Sequence, residues 1–145
     1  MTDMTNATTA TTTGGFTDEE RDAMKERAAE VHGKKGDGLV ELLGKIAEME
    51  DADRVMAERL HMLVSDAAPD LTPKTWYGMP AYAKDGKVVL FFKPAAKFKA
   101  RYATIGFSDS AALDDGPMWP TEFALTELTT AAEDRIVSLV KQAAA

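Results

Sequence analysis

The sequence predicts an α+β fold: a two-layer sandwich with an antiparallel sheet of about four to five strands, on which N-terminal helices and a C-terminal helix pack. Three observations carry that expectation. Apolar residues recur at helical spacing before Pro69 and again after Thr130. Between them, residues 75–107 hold most of the aromatic side chains and nearly all the strand-like sequence. Within that stretch, Asp85-Gly86 separates two strand-like runs, the strongest short-range hairpin signal in the chain.

The chain opens on a Thr-rich segment, 1–15, with no apolar periodicity, which reads as a disordered tail outside the fold. A first helix is expected to start at the capping box of Thr17 and Glu20, with Phe16 at the staple position, and to run to about His32. Its carboxylates Asp18, Asp22, Glu26 and Glu30 form one stripe, but Arg21, Lys25 and Arg27 stand a turn away, which favours a solvated face over a cation ridge. Residues 33–38, GKKGDG, read as a break. A second helix over about 39–49 presents Leu39, Leu42, Leu43, Ile46 and Met49 on one face. A third, over about 52–67 with Asp51 as N-cap, turns Met56, Leu60, Leu63, Val64 and Ala67 inward and stops at Pro69. On it, Glu58 and His61 lie one turn apart. Two ligands without a third are a weak metal signal, so a partly exposed, ion-paired histidine is expected.

The strand region begins at Thr75-Trp76-Tyr77, with Gly78 and Pro80 implying a bulge or an edge position. Residues 88–92, VVLFF, read as a central strand covered on both faces. Residues 97–102, KFKARY, alternate with period two, which in a strand puts Lys97, Lys99 and Arg101 on one face and Phe98 and Tyr102 on the other. The polar loop 109–116 lacks the EF-hand pattern, so calcium is not expected there. Residues 118–125 suggest a final edge strand, and Thr130 with Glu133 forms the capping box of the last helix. The division is therefore a tail (1–15), a helical extension (16–49) and an α+β domain (50–145), the last two forming one compact unit.

Composition narrows the function classes. The 145 residues carry a net charge of −7 and no cysteine, so thiolate metal sites and cysteine nucleophiles are excluded. No apolar run is long enough to span a membrane and no secretory leader is evident, so a cytoplasmic location is the default expectation. The charge is unevenly distributed: residues 74–102 hold seven bases and one acid in an otherwise acidic chain. No P-loop, GxSxG elbow or histidine motif is present, and no nucleophile–base pair can be assembled, which leans against an enzyme. No cofactor motif is found.

The run YGMPAY at 77–82, together with Pro69 and the Asp85-Gly86 hairpin into VVLFF, resembles the YdhG-like family of small bacterial proteins, grouped with frataxin-like folds. The resemblance covers roughly residues 50–143. It implies a two-layer sandwich, a frataxin-like iron-chaperone role for acidic helix residues (here Glu50, Asp51, Asp53, Glu58 and Asp66), and a sheet face for partners. Family members often carry a histidine after the second apolar strand, where this chain reads Phe98 to Tyr102.

Three expectations follow. One is an iron-handling binding module, by resemblance alone. Another is a groove around Trp76, Tyr77, Tyr82, Phe92 and Trp119 that takes a small anionic ligand or a protein partner, steered by Lys97, Lys99 and Arg101. Single-stranded nucleic acid ranks last, because the alternation puts the rings opposite the bases and the net charge is acidic. The chain is expected to be a monomer or weak dimer.

Overall fold

A computed structural model describes residues 20–21 and 34–145. The expected tail, the stripe of Asp18, Asp22, Glu26 and Glu30, and His32 lie outside the described residues; Glu20 and Arg21 are helical. The described elements are α1 (Lys34–Ala47), α2 (Asp51–Ala67), β1 (Thr72–Trp76), β2 (Met79–Lys84), β3 (Lys87–Lys93), β4 (Ala103–Phe107), β5 (Glu122–Leu125) and α3 (Thr130–Ala143). The strands form an antiparallel meander in the order β1-β2-β3-β4-β5, which makes VVLFF the central strand. All three described helices feed one core on one face of the sheet: Leu42 and Ile46 from α1, Leu60 and Val64 from α2, Ile136 and Val140 from α3, against Leu90, Phe92 and Ile105. The fold is the α+β two-layer sandwich. No helix among the described residues is long and apolar enough to cross a membrane.

Helix α1 begins earlier than the sequence suggests, and the glycines read as a break lie inside it. Gly38 explains why. Its Cα faces the Pro73 carbonyl of β1 so closely that a β-carbon would collide with that backbone. Gly44, on the exposed side of the same helix, has open space around it. Alanine normally stabilises a helix interior over glycine by about 1 kcal/mol. Gly44→Ala is therefore expected to gain about 0.5–1 kcal/mol, whereas Gly38→Ala should lose about 1–3 kcal/mol because backbone cannot move aside cheaply. Chemical denaturation of the two variants checks the opposite signs.

Two helix starts differ from expectation by one residue. The N-cap of α2 is Glu50, which makes no side-chain cap bond, while Asp51 is helical and pairs with Arg54 at 3.1 Å. At α3 the N-cap is Thr129, whose Oγ1 accepts from the Ala132 amide at 3.1 Å. Glu133 thus closes no capping box. Its carboxylate accepts two 2.9 Å bonds from Arg59 and so ties α3 to α2.

The β2–β3 ladder carries a bulge: Tyr82 pairs Leu90 and Ala83 pairs Val88, leaving Val89 without an opposite residue. The extra residue shifts the side-chain phase. Val89, Leu90 and Phe92 all reach the main core, while Val88 and Phe91 join Met79, Ala81 and Trp76 in a second cluster to which no described helix contributes. The helices cover one face of the strand; on the other, where a covering layer was expected, Phe91 is buried by side chains of its own sheet and no described helix lies over it. Pro80 is neither at an edge nor in the bulge. It lies in β2, one residue before the β2–β3 pairs begin at Ala81, where its missing donor removes no bond from that ladder.

Candidate functional site: an aromatic and basic rim at one end of the sheet

The expected strand at residues 97–102 does not form. Residues 94–102 are a loop between β3 and β4, and β4 starts only at Ala103. Its anchor is Asp53, a nearly buried carboxylate on α2 that accepts from the amides of Ala95 (3.2 Å) and Ala96 (3.0 Å). The chain then turns on itself, with Lys99 N–H bonded to the Ala96 carbonyl and Ala100 N–H to that of Ala95. Lys99 takes a left-handed conformation at φ 52°. The Lys99 and Ala100 amides, committed to carbonyls of the same loop, and Lys99 at positive φ are incompatible with a period-two strand over 97–102. Phe98, Tyr102 and the bases therefore do not sort onto opposite faces; all five side chains, Lys97 to Tyr102 apart from Ala100, are exposed on one loop.

The rings and cations are interleaved. Lys93 Nζ lies 5.0 Å and Lys97 Nζ 5.7 Å from the Phe98 ring centroid, and the Arg101 guanidinium lies 5.2 Å from that of Tyr102. Lys97 also donates to the Gly78 carbonyl at 3.4 Å, which ties the loop to the β1–β2 turn. That turn is the two-residue loop Tyr77-Gly78, with φ 51° and 74°, the pattern of a type I′ hairpin. Asn or Gly fills the first position at little cost; a tyrosine there is strained. Tyr77 is 81% exposed, and its ring rests edge-on against Trp76 at 4.9 Å. Trp76 in turn leans on Phe91 at 5.1 Å, over the sheet face that no described helix covers. Gly106 opposite Phe91 leaves the room for that ring.

Beside this rim a cleft of about 310 Å³ opens between the α1–α2 connection and the two loops. Glu48, Glu50 and Lys45 line one wall, Gly78, Pro94 and Lys97 the other. The expected site residues thus separate into two groups. Trp76, Tyr77, Lys97, Lys99 and Arg101 belong to the β1–β2 turn and the β3–β4 loop, at one end of the sheet. Tyr82 and Phe92 are buried in the main core, and Trp119 packs against that core from the β4–β5 connection, at the opposite end of the meander. Lys93, Phe98 and Tyr102, which are not among the expected groove residues, join the rim. The anchoring role of Asp53 is not legible in the sequence, because its partners lie more than forty residues away.

His61 is buried, not partly exposed. Its Nδ1 is hydrogen-bonded to Tyr82 Oη at 2.8 Å, the two rings stack at 5.8 Å, and burial pushes its pKa down to about 4. The same burial raises the pKa of Tyr82. Glu58, 2% exposed, is held by Arg21 in a fork of two bonds at 2.5 and 2.8 Å. Among the described residues, no group of three His, Asp or Glu side chains converges as metal ligands would. Of the five acids that the family resemblance puts forward, three are already engaged: Asp53 serves two amides, Glu58 an arginine, and Asp51 the side chain of Arg54.

Comparison with known proteins returns no match: no family model, no curated protein and no solved structure is similar to this chain.

Proposed function

We propose that this protein is a non-enzymatic binding module that takes an anionic ligand or partner on the rim formed by the β1–β2 turn and the β3–β4 loop. The observation that carries this reading is the loop at 94–102. Asp53 fastens its start, and it presents Lys97, Lys99 and Arg101 with two partly exposed rings among them. Four bases and no acid in residues 93–102 make this loop locally basic within an acidic chain, with Glu48 and Glu50 facing it across the cleft. Kinship with the YdhG-like family is likewise proposed, on the YGMPAY run that forms the same turn; an iron role has no matching feature to support it.

The expected result is measurable binding of inorganic polyphosphate by titration calorimetry at low salt. Replacing Lys97, Lys99 and Arg101 together by glutamine should weaken it at least tenfold, on the order of 1.4 kcal/mol. Replacing Lys84 and Lys87, which flank the Asp85-Gly86 hairpin at the other end of the sheet, should leave it unchanged. Equal weakening by both sets would mean a diffuse charge effect and remove the assignment to the rim.

A further inference from the structure

Resting on that reading, we propose that the ligand of the rim is single-stranded nucleic acid, with Tyr77, Phe98 and Tyr102 as stacking platforms and Lys93, Lys97, Lys99 and Arg101 along the phosphates. The sequence argued against this ligand because a strand would have put rings and bases on opposite faces. The loop removes that objection: each of the two loop rings has a cation within 6 Å on the same exposed surface. An anion alone requires only the bases. It gives no reason for two partly exposed rings on the loop, nor for a third that is largely in solvent at a left-handed turn position that Asn or Gly would fill without strain.

Unstacked bases supply that reason, since every base presents a flat face to a ring while its phosphate meets a neighbouring lysine or arginine. Duplexes keep their bases stacked inside, and the helix ends beside the rim present Glu48 and Glu50 to the cleft, which a duplex backbone would repel. The acids Glu48 and Glu50 across the cleft bound the site on its helix side, so a strand follows the loop and the turn and does not wrap the molecule. Three rings set a short footprint, about three nucleotides, and the counterions released as the four bases meet phosphates make binding strongly salt-dependent.

Fluorescence anisotropy of labelled dT12 with the full chain tests the proposal, alongside inorganic polyphosphate and a poly-glutamate peptide of similar charge. The expected result is tighter binding of dT12 than of either control. Four phosphate contacts at about −0.7 each give a log–log salt slope near −3, roughly a fiftyfold loss between 50 and 200 mM salt. Tyr77→Ala and Phe98→Ala should each lose roughly five- to a hundredfold for dT12 while leaving polyphosphate unaffected. Tyr77→Asn should lose the same binding with an unchanged or raised melting temperature, because asparagine tolerates the turn; this separates loss of stacking from loss of fold. If polyphosphate binds as tightly as dT12 and the ring variants are silent, the nucleic-acid assignment is overturned while the anion-binding rim stands. Binding of poly-glutamate without dT12 overturns it in favour of an acidic protein partner. No binding of any polyanion at 50 mM salt overturns both readings.

Discussion

Arg21→Ala is expected to destabilise the fold by about 3 kcal/mol, a large share of the roughly 5–15 kcal/mol that holds a domain of this kind together. The reason is the position of Glu58. Its side chain is 2% exposed on α2, and the Arg21 guanidinium grips both of its oxygens. A carboxylate brought into that environment loses most of its hydration, and the two-pronged bond supplies the compensation. Removing the arginine strips the carboxylate of that bond but leaves it buried. The cost belongs at the lower end of the range for buried pairs because the Arg21 side chain keeps 31% of its surface in water. The double variant Arg21→Met, Glu58→Met removes both charges and fills the space with flexible apolar side chains. It is expected within about 1 kcal/mol of the parent, since apolar replacements of buried ion pairs are often neutral. Urea denaturation of Arg21→Met, Glu58→Met and the double variant gives the coupling directly. A loss below about 0.5 kcal/mol for Arg21→Ala would show that the pair is not what keeps Glu58 in the interior.

The second large effect is with pH. His61 is held near pKa 4 by burial, against about 6.5 in the unfolded chain. The unfolded chain therefore binds the proton first as pH falls. Stability is at its full value above about pH 6.5 and declines from there to about pH 4, by about 3 kcal/mol in all. His61→Gln keeps a polar group within reach of Tyr82 but has nothing to titrate, so it should flatten the decline between pH 6.5 and 4.5. Tyr82→Phe should do the reverse. It removes the 2.8 Å hydrogen bond at a cost of about 1–2 kcal/mol but keeps the imidazole and its pH slope. Denaturation midpoints at several pH values between 7.5 and 4.5 separate the two variants. An unchanged slope in His61→Gln would assign the acid sensitivity to other groups.

Both effects rest on contacts that no local pattern announces. Glu58 and His61 sit one turn apart on a helix, which suggests a shared ligand, yet each turns to a different distant partner, Arg21 and Tyr82. The rim has the same character. The period-two pattern of KFKARY is a true feature of the sequence, but Asp53 fixes the chain just before it, and the turn that follows commits the Lys99 and Ala100 amides to carbonyls of the same loop. Gly38 behaves against its propensity for a related reason. Its helix-breaking tendency is about 1 kcal/mol, and the tight approach of α1 to Pro73 reverses its sign.

By itself the sequence determined the class of fold, the central place of VVLFF, the Asp85-Gly86 hairpin and the inward faces of α1 and α2, because periodicity and turn chemistry act within a few residues. Only the tertiary structure decided which aromatics are core and which stand in solvent, where Glu58 and His61 find their partners, and that residues 94–102 form an anchored loop. Those outcomes depend on groups brought together across tens of residues, where burial and a single well-placed carboxylate outweigh local propensity.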